Sequence, residues 1–241
     1  MNRQLIPGQH LSSLHLALGL LAAAGCLLVF GGIAGELLSN GPLVSFDEEV
    51  AATLHAQATL PFTILFLIVA ALASVGGVAL VGAFVVVVYG LRRRWLYVGM
   101  WVAAVSIGEI LNLLLKELFA RPLPSLPKQF MNNTVVADIS HTTPGGEMIT
   151  SYGFPSGHAM ESVIMYGTLA YFGVLGVQSG RARVAIVLGG MFLVLLIGFS
   201  RIYLGAHYFS DTVGGYAAGG VLLSAIITGA EIIRRQNTVS R

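Results

Sequence analysis

His207 and Asp211 stand four residues apart, and Arg201 precedes His207 by six. On a helix, a separation of four puts two side chains on one face. A carboxylate bonded to one imidazole nitrogen fixes the tautomer and leaves the other nitrogen free to attack. The planar fork of Arg201 can hold two phosphate oxygens. A second island, Pro155-Ser156-Gly157-His158, opens an apolar stretch. There the Ser156 hydroxyl and the exposed amides of a helix N-terminus make an anion site, and Gly157 permits close backbone approach. His158 can then protonate a departing alkoxide or phosphate. A third segment, Lys116-Glu-Leu-Phe-Ala-Arg121-Pro122, sets two cations at the end of another apolar stretch. Their expected role is to neutralise phosphate charge as it builds toward a transition state.

The elements that must carry these groups are apolar. The chain has 241 residues, of which 56% are hydrophobic and 10% charged; its mean hydropathy is +0.82. Soluble domains carry about a quarter charged residues, so one polytopic membrane domain over 1–241 is expected. A net charge of +2, without a basic run interleaved with aromatics, gives no case for a nucleic-acid partner. Cys26 is alone in an apolar stretch, which excludes an intrachain disulfide and a cysteine metal site. Stretches near 20 apolar residues, enough to cross the hydrocarbon core, occur at roughly 12–34, 60–90, 96–116, 158–178, 184–200 and 209–232. The fold class is therefore all-α with six transmembrane helices. The second stretch is long enough to tilt or kink around Gly76-Gly77, and the fifth is short. The first could pass for a signal peptide behind Arg3, but its length and the five spans after it favour a retained helix.

Lys and Arg in short loops give the orientation. Arg92-Arg93-Arg94, Arg181 with Arg183, and Arg234, Arg235 with Arg241 share one side, which the positive-inside rule makes cytoplasmic. Glu36, Asp47, Glu48, Glu49, Glu117, Asp138 and Glu147 collect on the other, as do both polar islands. Ser45-Phe-Asp-Glu48 has capping-box spacing, and Phe46, Val50 and Leu54 recur at helical intervals, so an amphipathic helix near 45–56 should lie on the membrane surface. Residues 117–157 form the longest non-apolar stretch, with Pro122, Pro124 and Pro127 opposing helix and Gly145-Gly146 marking a turn. Loops of this length are often lids or binding elements. Asn132-Asn133-Thr134 matches a glycosylation sequon, a triplet too common to carry weight.

On these motifs the chain resembles the type 2 phosphatidic acid phosphatase family, which includes bacterial undecaprenyl pyrophosphate and lipid A phosphatases and the vanadium haloperoxidases. The family signature is Lys-x6-Arg-Pro, Pro-Ser-Gly-His and Ser-Arg-x5-His-x3-Asp. The second part is intact at 155–158 and the third at Ser200-Arg201, His207 and Asp211. The first part departs: seven residues after Lys116 stands Leu123, followed by Pro124, while Arg121-Pro122 comes two residues early. One cation of the usual clamp is displaced, with Arg121 the expected replacement and Lys128 a second candidate. The resemblance implies that His207 attacks phosphorus and forms a phosphohistidine, oriented by Asp211, and that His158 protonates the leaving group and later helps activate water. Lys116, Arg121, Ser156, Gly157, Ser200 and Arg201 would hold the phosphate oxygens. No metal or other cofactor is implied, and the chain shows no acidic cluster fit for magnesium and no His-x3-His pair.

The substrate implied is a lipid phosphate at the outer leaflet of a bacterial plasma membrane, with polyprenyl pyrophosphate the first candidate and phosphatidylglycerophosphate and lipid A behind it. A phosphotransferase using the same phosphohistidine is the second reading. A transporter would place its charges near the midplane or on broken helices, not at helix ends on one face. Ser200 could instead be a helix terminus, Lys116 a snorkelling side chain and Arg121 a surface charge. Glu161, one turn after His158, could tune that histidine, bind a cation of the clamp, or equally be a polar group of helix packing. Glu109 and Asn112 read as interhelical hydrogen-bonding partners. Gly215-x3-Gly219 reads as a close helix contact, and His10, His15, His55 and His141 as structural or solvent-facing.

Overall fold

The structure, a computed structural model, describes residues 7–124 and 152–239. Lys128, the sequon at 132–134, Asp138, His141, Glu147 and most of the 117–157 loop lie outside the described residues, as do Arg3, Arg241 and the side chains of His10, His15 and Arg235. The described chain runs α1 (Pro7–Leu38), α2 (Pro42–Ala56), α3 (Leu60–Ala71), α4 (Val75–Leu91), α5 (Trp95–Phe119), α6 (Gly157–Gly176), α7 (Gly180–Tyr203) and α8 (Phe209–Val239), with no strand among the described residues. Five of the described helices are long and apolar enough to cross a membrane, and the bent pair α3–α4 makes a sixth span when counted as one. The protein is an all-α, multi-pass membrane protein. Leu28, Val75, Leu91 and Leu118 are among the large apolar side chains that point outward, as lipid-facing positions require.

α6 is the central helix. It packs against α5, α7 and α8, while α1 lies along α8 and α3 along α7. Its Met160 and Ile164 meet Ala104 of α5 and Ala218 of α8, and its Met165 and Phe172 meet Val85 and Trp101. Gly215 and Gly219 give α8 its close approach, as their spacing suggests. A Cβ at Gly215 would stand 2.5 Å from the Ser156 carbonyl oxygen and 2.9 Å from the Ala159 Cβ. Because those neighbours are backbone and a packed Cβ, neither can yield cheaply. Gly215→Ala is expected to destabilise the bundle by about 1–3 kcal/mol, read as a lower thermal midpoint of the detergent-solubilised protein.

Three local expectations are corrected. The second span breaks ahead of Gly76-Gly77: the Ser74 hydroxyl donates to the Ala71 carbonyl at 2.8 Å and accepts from the Gly77 amide at 3.3 Å, which ends α3 and caps α4. The two halves bend by 45°. The expected short fifth span is the 24-residue α7, because Ser179 caps it and Arg181 and Arg183 lie in its first turn. The surface helix begins at Pro42 with Gly41 as N-cap, so Ser45 lies inside α2 and caps nothing there. Its buried face carries Asp47.

Candidate active site

The three motifs meet at one end of the bundle. α5 brings Lys116 to that end near its C-terminus, and Ala120 in the left-handed region (φ 44°) turns the chain back toward Arg121. The Arg121 carbonyl accepts from the Gly153 amide at 2.7 Å, tying the segment after α5 to the one before α6. Ser156 is the N-cap of α6 and accepts from the Ala159 amide at 3.5 Å. Asn112 of α5 donates to the Pro155 carbonyl at 3.3 Å, an interhelical role as expected; Glu109 makes no such bond among the described residues. α7 delivers Arg201 at its C-terminal turn. The Ala206 and His207 amides donate to the Arg201 carbonyl at 3.0 and 3.2 Å, and Gly205 (φ 66°) supplies the left-handed residue of this reversal.

Lys116, Gly157, His158, Arg201 and His207 line a common cleft of about 780 Å³, together with Glu109, Glu117 and Glu161. Arg201 is buried, and its Nε has no hydrogen-bond partner among the described residues. A buried guanidinium with a donor to spare in a cleft suits an anionic ligand. Tyr152 stands among the mouth residues, while Val78, Ala79 and Val105 form an apolar wall farther along α4 and α5.

His207 precedes α8, so its pairing with Asp211 is not the helical contact suggested by the spacing of four. Asp211, in the first turn of α8, is fully buried. Its Oδ2 accepts from the Tyr208 amide at 2.9 Å and faces His207 Nδ1 at 3.7 Å, just beyond hydrogen-bond reach. Its Oδ1 accepts from Arg121 at 2.6 Å. Burial draws the His207 imidazole below its ordinary value; Asp211 opposes that, while Arg201 and Lys116 act with it. A neutral imidazole with one nitrogen turned to a fixed carboxylate can offer the other as a nucleophile.

Three residues expected around the phosphate stand elsewhere. Arg121 does not line the cleft; it sits behind His207, forked between Asp211 and Asp47 (2.7 Å), bonded to Ser210 Oγ at 2.7 Å and stacked over the Tyr208 ring at 4.5 Å. The reason is charge: two buried carboxylates flank it, and burial without a cation would cost both dearly. Ser200 is buried and donates into its own helix, to the Ile197 carbonyl at 2.5 Å. The Ser156 hydroxyl is buried as a cap, leaving Gly157 to face the cleft. With Leu123 uncharged, Lys116 and Arg201 are the cations among the described lining residues.

Asp47, Ser210 and Gly153 were not singled out from sequence. Asp47 Oδ1 accepts from the Ser210 amide at 2.9 Å, and Asp47 Oδ2 accepts from the Ser210 hydroxyl. Gly153 leaves room for the carboxylate of Asp211: a Cβ there would lie 3.0 Å from Oδ2 and 3.2 Å from the Pro122 carbonyl. An acidic residue on the apolar side of an amphipathic helix was the available signal for Asp47, since such a charge requires a buried partner.

Comparisons with known proteins bear on the family and the fold. The sequence profile described as the PAP2 superfamily matches residues 94–233. Phosphatidylglycerophosphatase B of Bacillus subtilis (strain 168) is 35% identical over 88 residues, 36% of this chain and 43% of that protein. Lipid phosphate phosphatase delta of Arabidopsis thaliana is 29% identical over 128 residues, 52% of this chain and 29% of that protein. The matched region thus spans less than half the length of either relative. The crystal structure of a transmembrane PAP2 type phosphatidylglycerolphosphate phosphatase from Bacillus subtilis superposes with a TM-score of 0.70 at 22% identity. That superposition covers 88% of this chain and 96% of the other, and it establishes the fold.

Proposed function

We propose that this chain, which belongs to the PAP2 superfamily, removes phosphate from a membrane lipid through a covalent intermediate on His207. The observation that carries the reading is the convergence of His207, His158, Arg201 and Lys116 on one cleft whose farther wall is apolar. Nδ1 of His207 faces Asp211, so Nε2 attacks phosphorus. The phosphorus–oxygen ester bond breaks as the new phosphorus–nitrogen bond forms, and the departing oxygen takes the proton of His158. Water then attacks the phosphohistidine, gives its proton to His158, and releases phosphate with His207 restored. Arg201, Lys116 and the Gly157 amide hold the non-bridging oxygens as charge develops. Asp211 orients His207, and Arg121 with Asp47 holds Asp211.

The substrate is a lipid phosphate presented at the membrane surface. The names of the bacterial relatives point to phosphatidylglycerophosphate; polyprenyl pyrophosphate, the first expectation from sequence, is the comparison substrate. The arginines between α4 and α5 and at the start of α7 stand at the opposite end of the bundle from the cleft. The positive-inside rule therefore orients the cleft away from the cytoplasm.

The test is phosphate release from a panel of lipid phosphates, with rapid acid-free quenching to capture labelled phosphate on the protein. Label that survives alkali, is lost in acid and maps to His207 is the expected result. Passage of label to a second lipid without free phosphate would favour the phosphotransferase. The acidic limb of the kcat/KM profile should also fall below pH 6.5, the ordinary histidine value, because burial holds His207 neutral to lower pH. Asp211→Asn removes the group that raises the His207 value, so the remaining activity should show that limb at still lower pH.

A further inference from the structure

The cleft holds carboxylates that the phosphate chemistry does not use. Glu161 lies on α6 three residues beyond His158, lines the cleft, and is only 5% exposed. Neither of its carboxylate oxygens has a hydrogen-bond partner among the described residues. Its Oε1 rests against bare backbone of α5: a Cβ at Gly108 would stand 2.9 Å from it. Glu109, the next residue of α5, lines the same cleft. A buried polar group left unpaired is costly, so an empty acceptor here is one that a ligand can fill.

Depth says which part of a ligand. At a rise of about 1.5 Å per residue, Glu161 lies roughly 4–5 Å deeper than His158, and Glu109 roughly 10 Å deeper than Lys116. Beyond both, Val78, Ala79 and Val105 make the wall apolar. Apart from Glu117 beside Lys116 and the intervening Leu113 and Asn112, the cleft runs from cations at its outer end, through Glu161 and Glu109, to hydrocarbon. A lipid phosphate is layered as phosphate, then linker, then chains. The carboxylates meet the linker.

We propose that Glu161, assisted by Glu109, selects lipid phosphates that carry a free hydroxyl on the linker carbon next to the phosphorylated one, as a glycerol linker does when that carbon is not acylated. This inference rests on the phosphatase reading above. The hydroxyl hydrogen-bonds to the unpaired Glu161 carboxyl group while the phosphate sits on Arg201 and Lys116. A polyprenyl pyrophosphate, with hydrocarbon directly beside its phosphate, leaves that acceptor unpaired against apolar atoms. Sites built to bond a substrate hydroxyl reject analogues that lack it far more strongly than apolar pockets reject a changed methylene.

The experiment compares a 1-acyl-glycerol 3-phosphate, which has a free 2-hydroxyl, with its 2-deoxy analogue of the same chain length, using the full-length protein in detergent micelles. The wild type is expected to favour the hydroxyl substrate by about tenfold or more in kcat/KM. Glu161→Leu should bring the ratio close to one by loss on the hydroxyl substrate, and Glu161→Gln, which keeps volume and an acceptor oxygen, should retain part of it. Equal rates on the two substrates in the wild type overturn the proposal, as does a preference that survives Glu161→Leu. If the leucine variant does not fold, the wild-type ratio and the glutamine variant decide. Faster turnover of a 2-amino-2-deoxy analogue would show an ammonium site and overturn the hydroxyl assignment. Phosphate release that persists without His207, or none from any lipid phosphate, refutes the phosphatase reading instead.

Discussion

Replacement of His207 by alanine is expected to lower lipid phosphate hydrolysis by about 10⁴-fold or more, the scale on which removing one member of a nucleophile–base unit acts. The residue lines the cleft and turns one imidazole nitrogen toward the buried carboxylate of Asp211. Arg201 and Lys116 remain in the variant, so substrate binding should change far less than turnover. His158→Ala should cost about 10²–10⁴-fold through loss of general acid catalysis, and its loss should shrink with a good leaving group such as p-nitrophenol. The loss in His207→Ala should not shrink, because attack and not departure is removed. The double variant should be little worse than His207→Ala alone, since the two act on one covalent path. Steady-state release from a lipid phosphate and from p-nitrophenyl phosphate distinguishes these cases.

The second large effect concerns stability. Arg121→Ala strips the cation from two buried carboxylates, Asp47 and Asp211. Breaking a buried ion pair from one side costs about 3–5 kcal/mol, because a charge is left buried without its partner. The variant should unfold at markedly lower temperature, and kcat should fall as Asp211 loses its placement behind His207. A phosphate ligand at position 121 would instead raise KM with the fold intact. Arg121→Lys should recover little, since one ammonium cannot span the two carboxylates that the guanidinium fork joins. Removing one orphaned charge, in Arg121→Ala with Asp47→Asn, should restore part of the lost stability. Thermal unfolding and steady-state kinetics on the same samples read both quantities. If Arg121→Ala melts with the wild type, the buried network is not what fixes Asp211.

The sequence carried the class and the spans, and it marked most residues of the cleft, because each is written in local pattern. Hydropathy over about 20 residues is a one-dimensional property, and the 155–158 and 200–211 motifs keep their spacing because a turn and a helix end fix the chain locally. Local pattern failed where two signals competed. At Ser74 a side chain that bonds backbone broke the long second span before its glycines did. At Ser179 a cap lengthened α7 past arginines that hydropathy treats as an end.

Tertiary structure alone decided which charges line the cleft. Spacing put Arg121 with the phosphate cations, yet its partners Asp47 and Asp211 lie 74 and 90 residues away in the chain. Only folding brings those carboxylates together, and once buried they claim the nearest guanidinium. The same holds for Glu161, ambiguous as a residue one turn past His158 and distinct once Gly108 opens room for its unpaired carboxylate inside the cleft. The sequence determined that two histidines, a carboxylate and several cations would gather at one end of the helices. The packing of α2, α5, α6 and α8 decided which of them line the cleft, because burial turns each unpaired charge into a demand for a partner that any part of the chain can supply.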